Sequence, residues 1–173
     1  MTAQQTTPRG CDVSPATNYR KILVALDRDD RAATIFASAL SLSRAHGSQL
    51  LAFHCLSYLP SSHNLLAVGA YGAYAPEVSF MLDPVARAAI DEVADWLRAW
   101  RQQAEDYAVP YAFEQRVGTA GQEICVAAQR WHADLVVVGR RGRSGLGETI
   151  LGSVSNYVMH HAPCNVLVVQ GHK

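Results

Sequence analysis

The last quarter of the chain places the strongest constraint on the fold. Residues 135–138 form a run of four apolar residues, three of them β-branched, which stops at Gly139. A run this short that ends in glycine predicts a buried parallel strand. The next residues are rich in arginine and glycine, with glycines at 142, 145 and 147. Glycine permits positive φ and lets a ligand approach the backbone closely, so the pattern predicts a strand followed by a ligand-binding loop.

A helix is predicted directly after this loop. Gly152 and Ser153 precede residues at helical spacing, namely Val154, Tyr157, Val158 and His161. Ser153 would therefore lie near the N-terminus of a helix, where free backbone N–H groups attract anions. The sequence thus predicts a phosphate-binding position at this point.

Helical and extended patterns alternate along the rest of the chain. Further strands are predicted at 19–26, 49–56, 111–117 and 165–169, with helices between them. One of these helices carries an apolar stripe that includes Val93, Trp96 and Trp100. The spacing of three and four residues indicates that this stripe packs in the core. The alternation predicts the α/β class, with a single doubly wound, Rossmann-like parallel sheet of five strands and helices on both faces.

Length and local composition predict one folded domain. The chain has 173 residues, which suffices for a sizeable core. Residues 1–18 have little to bury and are expected to form a flexible arm, while 19–170 form the domain. Residues 57–82 contain Pro, Gly, Ser and Tyr without periodicity, and we expect a long mobile excursion there. A lid, a partner surface and a variable insertion all remain open for this segment.

Charge and composition exclude several classes of partner. Fifteen basic residues balance fifteen acidic ones, so no global field would recruit nucleic acid or an anionic membrane. No apolar run approaches the roughly 20 residues that span a bilayer, and no secretion signal is recognisable, so a cytoplasmic location is expected. The four cysteines and seven histidines show no metal-site spacing, which predicts reduced thiols and no metal bound by protein ligands.

The spacing Gly139-x2-Gly142-x9-Gly152-Ser153 resembles the nucleotide-binding signature of the ATP-binding universal stress proteins. The resemblance extends over residues 19–170. It includes the first strand, Lys21-Ile-Leu-Val-Ala-Leu-Asp27, and the closing segment at 161–169. It implies the strand order 3-2-1-4-5, in which a crevice opens between the carboxyl ends of strands 1 and 4.

The same resemblance implies which residues contact the ligand. Adenine and ribose contacts fall on Ala25, Asp27, Cys55 and Val138. Phosphate contacts fall on Gly139, Gly142, Gly152, Ser153, Val154 and Ser155. Arg140, Arg141 and Arg143 either add charge-assisted contacts or are simply solvated.

Two features of the proposed site leave alternatives open. Asp27 accepts hydrogen bonds from the ligand or merely caps the next helix. The family usually has Gly-Ser where this chain has Arg28-Asp29, a departure that bears on the shape of the loop and on nucleotide preference.

The implied ligand is ATP or AMP, with Mg²⁺ or Mn²⁺ carried only by the phosphates. The segment from Gly142 to Thr149 has the shape of a P-loop, but Glu148 occupies the lysine position and would repel phosphates, which excludes a P-loop NTPase. No catalytic residue is identifiable from residue order alone.

Three functions remain open. The first is a nucleotide-binding regulatory or sensor protein of the stress response, with a protein partner that the sequence does not name. The second is an enzyme that slowly hydrolyses or transfers from ATP. The third is a nucleotide-free interaction module. The resemblance also implies a homodimer through the last strand, Asn165–Val169, because an apolar edge strand would otherwise expose unpaired backbone groups.

Overall fold

The structure is a computed structural model that describes residues 18–56, 84–140 and 152–170. Helices and strands alternate through these ranges, as predicted. In chain order the elements are β1 (Lys21–Ala25), α1 (Ala32–His46), β2 (Gln49–Leu56), α2 (Pro84–Asp106), β3 (Tyr111–Val117), α3 (Ala120–Trp131), β4 (Leu135–Gly139), α4 (Ser153–His161) and β5 (Asn165–Val169).

All five strands form one parallel sheet in the order β3-β2-β1-β4-β5. The predicted fold class and strand order are therefore confirmed. At the centre of the sheet, Leu23 of β1 pairs with Leu51 of β2 on one side and Val136 of β4 on the other. The strand order reverses between β1 and β4, so the carboxyl ends of these two strands border the crevice that such a reversal creates.

Two apolar layers cover the two faces of the sheet. Ile22 and Val24 face a cluster that includes residues of α1 and α2, whereas Leu23 faces a cluster formed with α3 and α4. All three of these side chains have no exposed surface. Burial on both faces explains why β1 and β4 are continuous apolar runs rather than alternating ones. A fully buried leucine or phenylalanine, such as Phe53, contributes about 1.5–3 kcal/mol by leaving water.

The helix signals in the sequence agree with the structure at two places. α1 ends at Gly47, which has φ 64° and whose N–H binds the carbonyl of Ser43; glycine adopts this left-handed conformation without a Cβ penalty. In α2, Val93 is buried and Trp96 and Trp100 pack against the same cluster. The stripe is core, as predicted.

The first strand is shorter than the predicted 19–26. The Tyr19 carbonyl accepts a hydrogen bond of 2.6 Å from the hydroxyl of Ser48. The N–H groups of Arg20 and Lys21 donate to the Asp134 carboxylate at 2.8 and 2.9 Å. These side chains satisfy backbone groups that a longer strand would have paired. The predicted excursion at 57–82 and positions 1–17 lie outside the described residues, and within the described ranges no helix is long and apolar enough to cross a membrane.

Candidate functional site

The turn after β1 is held by its own acidic groups. The carboxylate of Asp27 accepts the N–H of Arg28 at 2.8 Å, and its carbonyl accepts the N–H of Asp29 at 2.9 Å. Asp29 in turn accepts the N–H of Arg31 at 3.0 Å and binds the Arg31 guanidinium at 2.6 Å. Helix α1 begins only at Ala32, and its N-cap residue is Arg31, whose side chain makes no capping hydrogen bond. The interpretation of Asp27 as the cap of this helix is therefore wrong.

Three of the predicted adenine and ribose contacts share one face of the sheet. Ala25, Cys55 and Val138 all belong to the layer beneath α3 and α4, and each lies near the carboxyl end of its strand. Ala25 and Cys55 are partly exposed, whereas Val138 as a whole is 2% exposed. A ligand at this edge could therefore touch the first two residues, whereas Val138 lies in the buried layer below them.

The thiol of Cys55 is a weak acid in this position. Its sulfur donates to the carbonyl of Gly118 at 3.4 Å. Burial, together with the negative charge of Glu123, raises the pKa of Cys55 to about 11. The group is therefore a neutral thiol near pH 7 and packs as a small apolar side chain rather than acting as a nucleophile.

Hydrogen bonds fix the beginning of α4 to the end of β4. The N–H of Gly152 donates to the carbonyl of Arg140 at 2.8 Å. The hydroxyl of Ser155 lies 2.8 Å from the same carbonyl oxygen and 3.0 Å from that of Gly152. The N–H of Arg140 donates to the carbonyl of Val169 in β5 at 2.9 Å. The helix terminus is thus held in one orientation beside the carboxyl ends of β4 and β5.

This terminus suits an anion. Gly152 is the N-cap residue in an extended conformation, and no side chain of the described residues caps the helix. The first N–H groups of a helix lack partners within it, and the helix dipole adds a partial positive charge there. The N–H groups that follow Gly152, beginning with the exposed Ser153, are therefore suited to a phosphate or carboxylate.

The remaining predicted phosphate contacts lie in α4, at the end of β4 and in the segment between them. Val154 packs against the layer beneath α3 and α4, so any contact of this residue with a phosphate would come from its backbone N–H. Ser155 is 2% exposed, and its hydroxyl is engaged by backbone carbonyls. Gly139 closes β4 and pairs with Val169. The guanidinium of Arg140 lies 3.4 Å from the side-chain oxygen of Gln170. Gly142, Arg141 and Arg143 lie outside the described residues.

Sequence reasoning missed the loop between β3 and α3. The N–H of Gly118 donates to the carbonyl of Leu56 at 3.0 Å, which brings this loop against the end of β2 and Cys55. A methyl carbon placed on Gly118 would lie 3.1 Å from both Cγ and Oε1 of Glu123. The available signal was a glycine at the carboxyl end of a predicted strand, the same signal that marked Gly139.

Close contact between α3 and α4 also positions the site. A methyl carbon on Gly121 of α3 would lie only 2.8 Å from Cδ1 of Tyr157 in α4, so glycine is needed for this approach. Tyr157 stacks on His161, with ring centroids 4.0 Å apart. The position of α4, and with it the helix terminus at Gly152, depends on this contact. Among the residues that the structure describes, no group of three or more His, Cys, Asp or Glu is arranged to hold a metal ion.

The chain is similar in sequence to known proteins. A model of the Universal stress protein family matches residues 18–170. Universal stress protein Sll1388 of Synechocystis sp. is 40% identical over 152 residues, which cover 88% of this chain and 98% of that protein. Universal stress protein A homolog 2 of Coxiella burnetii is 36% identical over 155 residues, 88% of this chain and 96% of the other.

Solved structures share the fold. Universal stress protein UspA from Lactobacillus plantarum superposes with a TM-score of 0.70 at 24% identity, covering 88% of this chain and 98% of that one. A universal stress protein solved in complex with cAMP superposes with a TM-score of 0.57 at 21% identity, covering 88% of this chain and 98% of that one. A universal stress protein from Archaeoglobus fulgidus in complex with dAMP superposes with a TM-score of 0.56 at 19% identity, covering 87% of this chain and 98% of that one.

Proposed function

The chain belongs to the universal stress protein family, and from that premise we propose that it binds an adenine nucleotide, ATP or AMP, as a regulatory or sensor protein of the stress response. The nucleotide would occupy the crevice at the carboxyl ends of β1 and β4. Its phosphates would lie against the N-terminus of α4, and its base and ribose would lie across the ends of β1 and β2.

One observation carries this proposal, namely the way the end of β4 holds the start of α4. The carbonyl of Arg140 receives both the N–H of Gly152 and the hydroxyl of Ser155. The first free N–H groups of α4 are thereby fixed next to the crevice before any ligand arrives. Donors that are already ordered lose little entropy on binding, which favours affinity.

Polarity within the site suits a nucleotide. The helix terminus supplies neutral donors and a positive dipole for phosphates. On the neighbouring strand, Asp27 supplies a carboxylate that can accept hydrogen bonds from a ribose hydroxyl or a base amino group. Ala25 and Cys55 supply an apolar floor between these groups. Two of the solved relatives bind adenine nucleotides, cAMP and dAMP, which supports the same ligand class here.

We propose further that two copies pair through β5. All residues of this edge strand except Asn165 are apolar, yet Leu167 is 36% exposed and Val166 and Val168 are only partly buried. In the described part of the chain, β4 pairs with one side of β5 and nothing pairs with the other. A second β5 would satisfy these backbone groups and cover apolar surface.

Mass spectrometry of small molecules released from the purified protein tests the ligand class. We expect an adenine nucleotide to be released, or to bind in a subsequent titration with ATP, ADP, AMP, cAMP and adenosine. Adenosine should bind more weakly than AMP, because it lacks the phosphate that α4 would hold. Binding of adenosine as tight as that of AMP would contradict the placement of phosphate at α4.

A further inference from the structure

Within the described ranges, a carboxylate that makes no hydrogen bond or ion pair borders the candidate site near the end of β3. Glu123 lies in the first turn of α3 and is half-buried. Its carboxylate makes no hydrogen bond or ion pair with any residue that the structure describes. A partly desolvated carboxylate loses hydration without compensation unless a donor reaches it. This position is therefore suited to a donor from a ligand.

Contacts on Gly118 connect Glu123 to the site. A methyl carbon on Gly118 would lie 3.1 Å from Oε1 of Glu123, and the carbonyl oxygen of Gly118 is 3.4 Å from the sulfur of Cys55. Arg116 is the nearest cation along β3, and its charge interacts with Glu123. The Arg116 guanidinium, however, donates to Glu114 at 2.7 Å. The acceptors of Glu123 and Gly118 thus form one wall beside Cys55.

The position of this wall in the sheet indicates which part of a nucleotide would reach it. β3 and β4 are separated by β2 and β1. At about 4.8 Å per strand, the end of β3, where Gly118 and the carboxylate of Glu123 lie, is therefore roughly 14 Å from the end of β4, to which the start of α4 is bound. With the phosphates at α4, the moiety at this distance is the one farthest from them, which is the base.

We propose that Glu123, together with the carbonyl of Gly118, is a specificity-determining residue that accepts a hydrogen bond from the exocyclic amino group of adenine. This inference rests on the proposed nucleotide binding. Hypoxanthine carries a carbonyl oxygen where adenine carries the amino group. Two acceptors would then face each other, and the half-buried carboxylate would lack a donor, which is the situation in which sites discriminate strongly. The chain should therefore prefer ATP to ITP.

Calorimetric titration of the full chain with ATP and with ITP tests this role. The wild-type chain should bind ATP at least tenfold more tightly than ITP. Glu123→Ala should lower that ratio about tenfold, the equivalent of about 1.4 kcal/mol. Glu123→Gln should lower it mainly by improving the binding of ITP, since a carboxamide can turn its NH₂ toward the carbonyl of hypoxanthine. Glu105→Gln, on the exposed face of α2, is the matched control and should leave the ratio unchanged.

The ratio of the ATP and ITP affinities distinguishes recognition of the base by Glu123 from a purely structural role of this residue. A variant that loses affinity for ATP and ITP equally would show that Glu123 only supports the fold, and would overturn the proposal. An unchanged ratio in both Glu123 variants, with ATP still bound tightly, would overturn it while leaving the proposed function intact. If the wild-type chain binds neither nucleotide, the proposed function fails and this inference fails with it.

Discussion

The hydroxyl oxygen of Ser155 lies 2.8 Å from the carbonyl oxygen of Arg140, so a side chain in α4 holds the loop residue that directly follows β4. The same carbonyl receives the N–H of Gly152 at 2.8 Å. Ser155 therefore serves the site by orienting the helix terminus. The residue is 2% exposed, and its hydroxyl is turned toward the backbone.

Replacing Ser155 with alanine should destabilise the protein by about 0.5–1.5 kcal/mol, the usual net contribution of one hydrogen bond. The cost stays in this range because the carbonyl of Arg140 keeps the N–H of Gly152. Urea denaturation followed by circular dichroism measures the change. The control is Ser153→Ala at an exposed position, which should change stability by less than about 0.5 kcal/mol. Equal effects of the two substitutions would show that the Ser155 hydrogen bond does not hold α4.

Gly121→Ala should lower the free energy of unfolding by about 1–3 kcal/mol, because overpacking forces neighbouring helices apart. The new methyl group of α3 would lie 2.8 Å from Cδ1 of Tyr157 in α4. Gln122→Ala, at an exposed neighbouring position in the same helix, is the control and should be nearly neutral. Removing the opposing ring in Gly121→Ala/Tyr157→Ala should restore part of the loss. Independent, additive effects of the two substitutions would argue against this contact.

Light scattering should give twice the 18.8 kDa chain mass if β5 pairs with a second copy. The N–H of Arg140 binds the carbonyl of Val169, so the backbone groups of Val169 point toward β4 and those of Val168 point toward the open edge. Val168→Pro removes a donor only from the open edge and should yield a folded monomer. Val168→Thr keeps the donor and should remain dimeric. A wild-type monomer at micromolar concentration would contradict the pairing.

Stability should fall as pH rises from about 9 toward 11, partly because of Cys55. Its pKa is raised to about 11 by burial, above the ordinary value of about 8.5 for the unfolded chain. The folded state thus holds the proton more tightly, and this stabilisation is complete below the unfolded pKa and is lost as pH passes the folded pKa. When the free energy of unfolding is measured by urea denaturation across this pH range, it should fall less in Cys55→Ala than in the wild-type chain. Identical slopes of the unfolding free energy against pH would show that the Cys55 thiol ionises with an ordinary pKa.

The sheet was predictable because its central strands are buried on both faces. Residues 135–138 could not be mistaken for a polar-faced helix, and the alternation with helices determined the class. By contrast, the start of β1 depends on Asp134, whose carboxylate binds the N–H of Lys21 across a sequence separation of 113 residues. A pattern of neighbouring residues in the sequence cannot indicate a contact between residues so far apart in the chain.

The position of the helix terminus in the candidate site was predictable from the sequence, whereas the side-chain orientations around it were not. Gly152 before a helical pattern predicted a helix terminus correctly. That the hydroxyl of Ser155 turns back to Arg140 depends on how the loop ends meet in space. Glu123 was missed because glutamate in a first helical turn is favourable for the helix dipole alone, so its sequence position gives no sign of a ligand role.

Calorimetric titration of ATP into the wild-type chain and into Gly152→Val tests the central claim most directly. The wild-type chain should bind one ATP per chain. A valine at Gly152 would place a branched side chain where the backbone must meet phosphate, so this variant, shown by circular dichroism to be folded, should lose binding. Equal affinity in a folded Gly152→Val variant, or no binding by the wild-type chain, would contradict a nucleotide site at the start of α4.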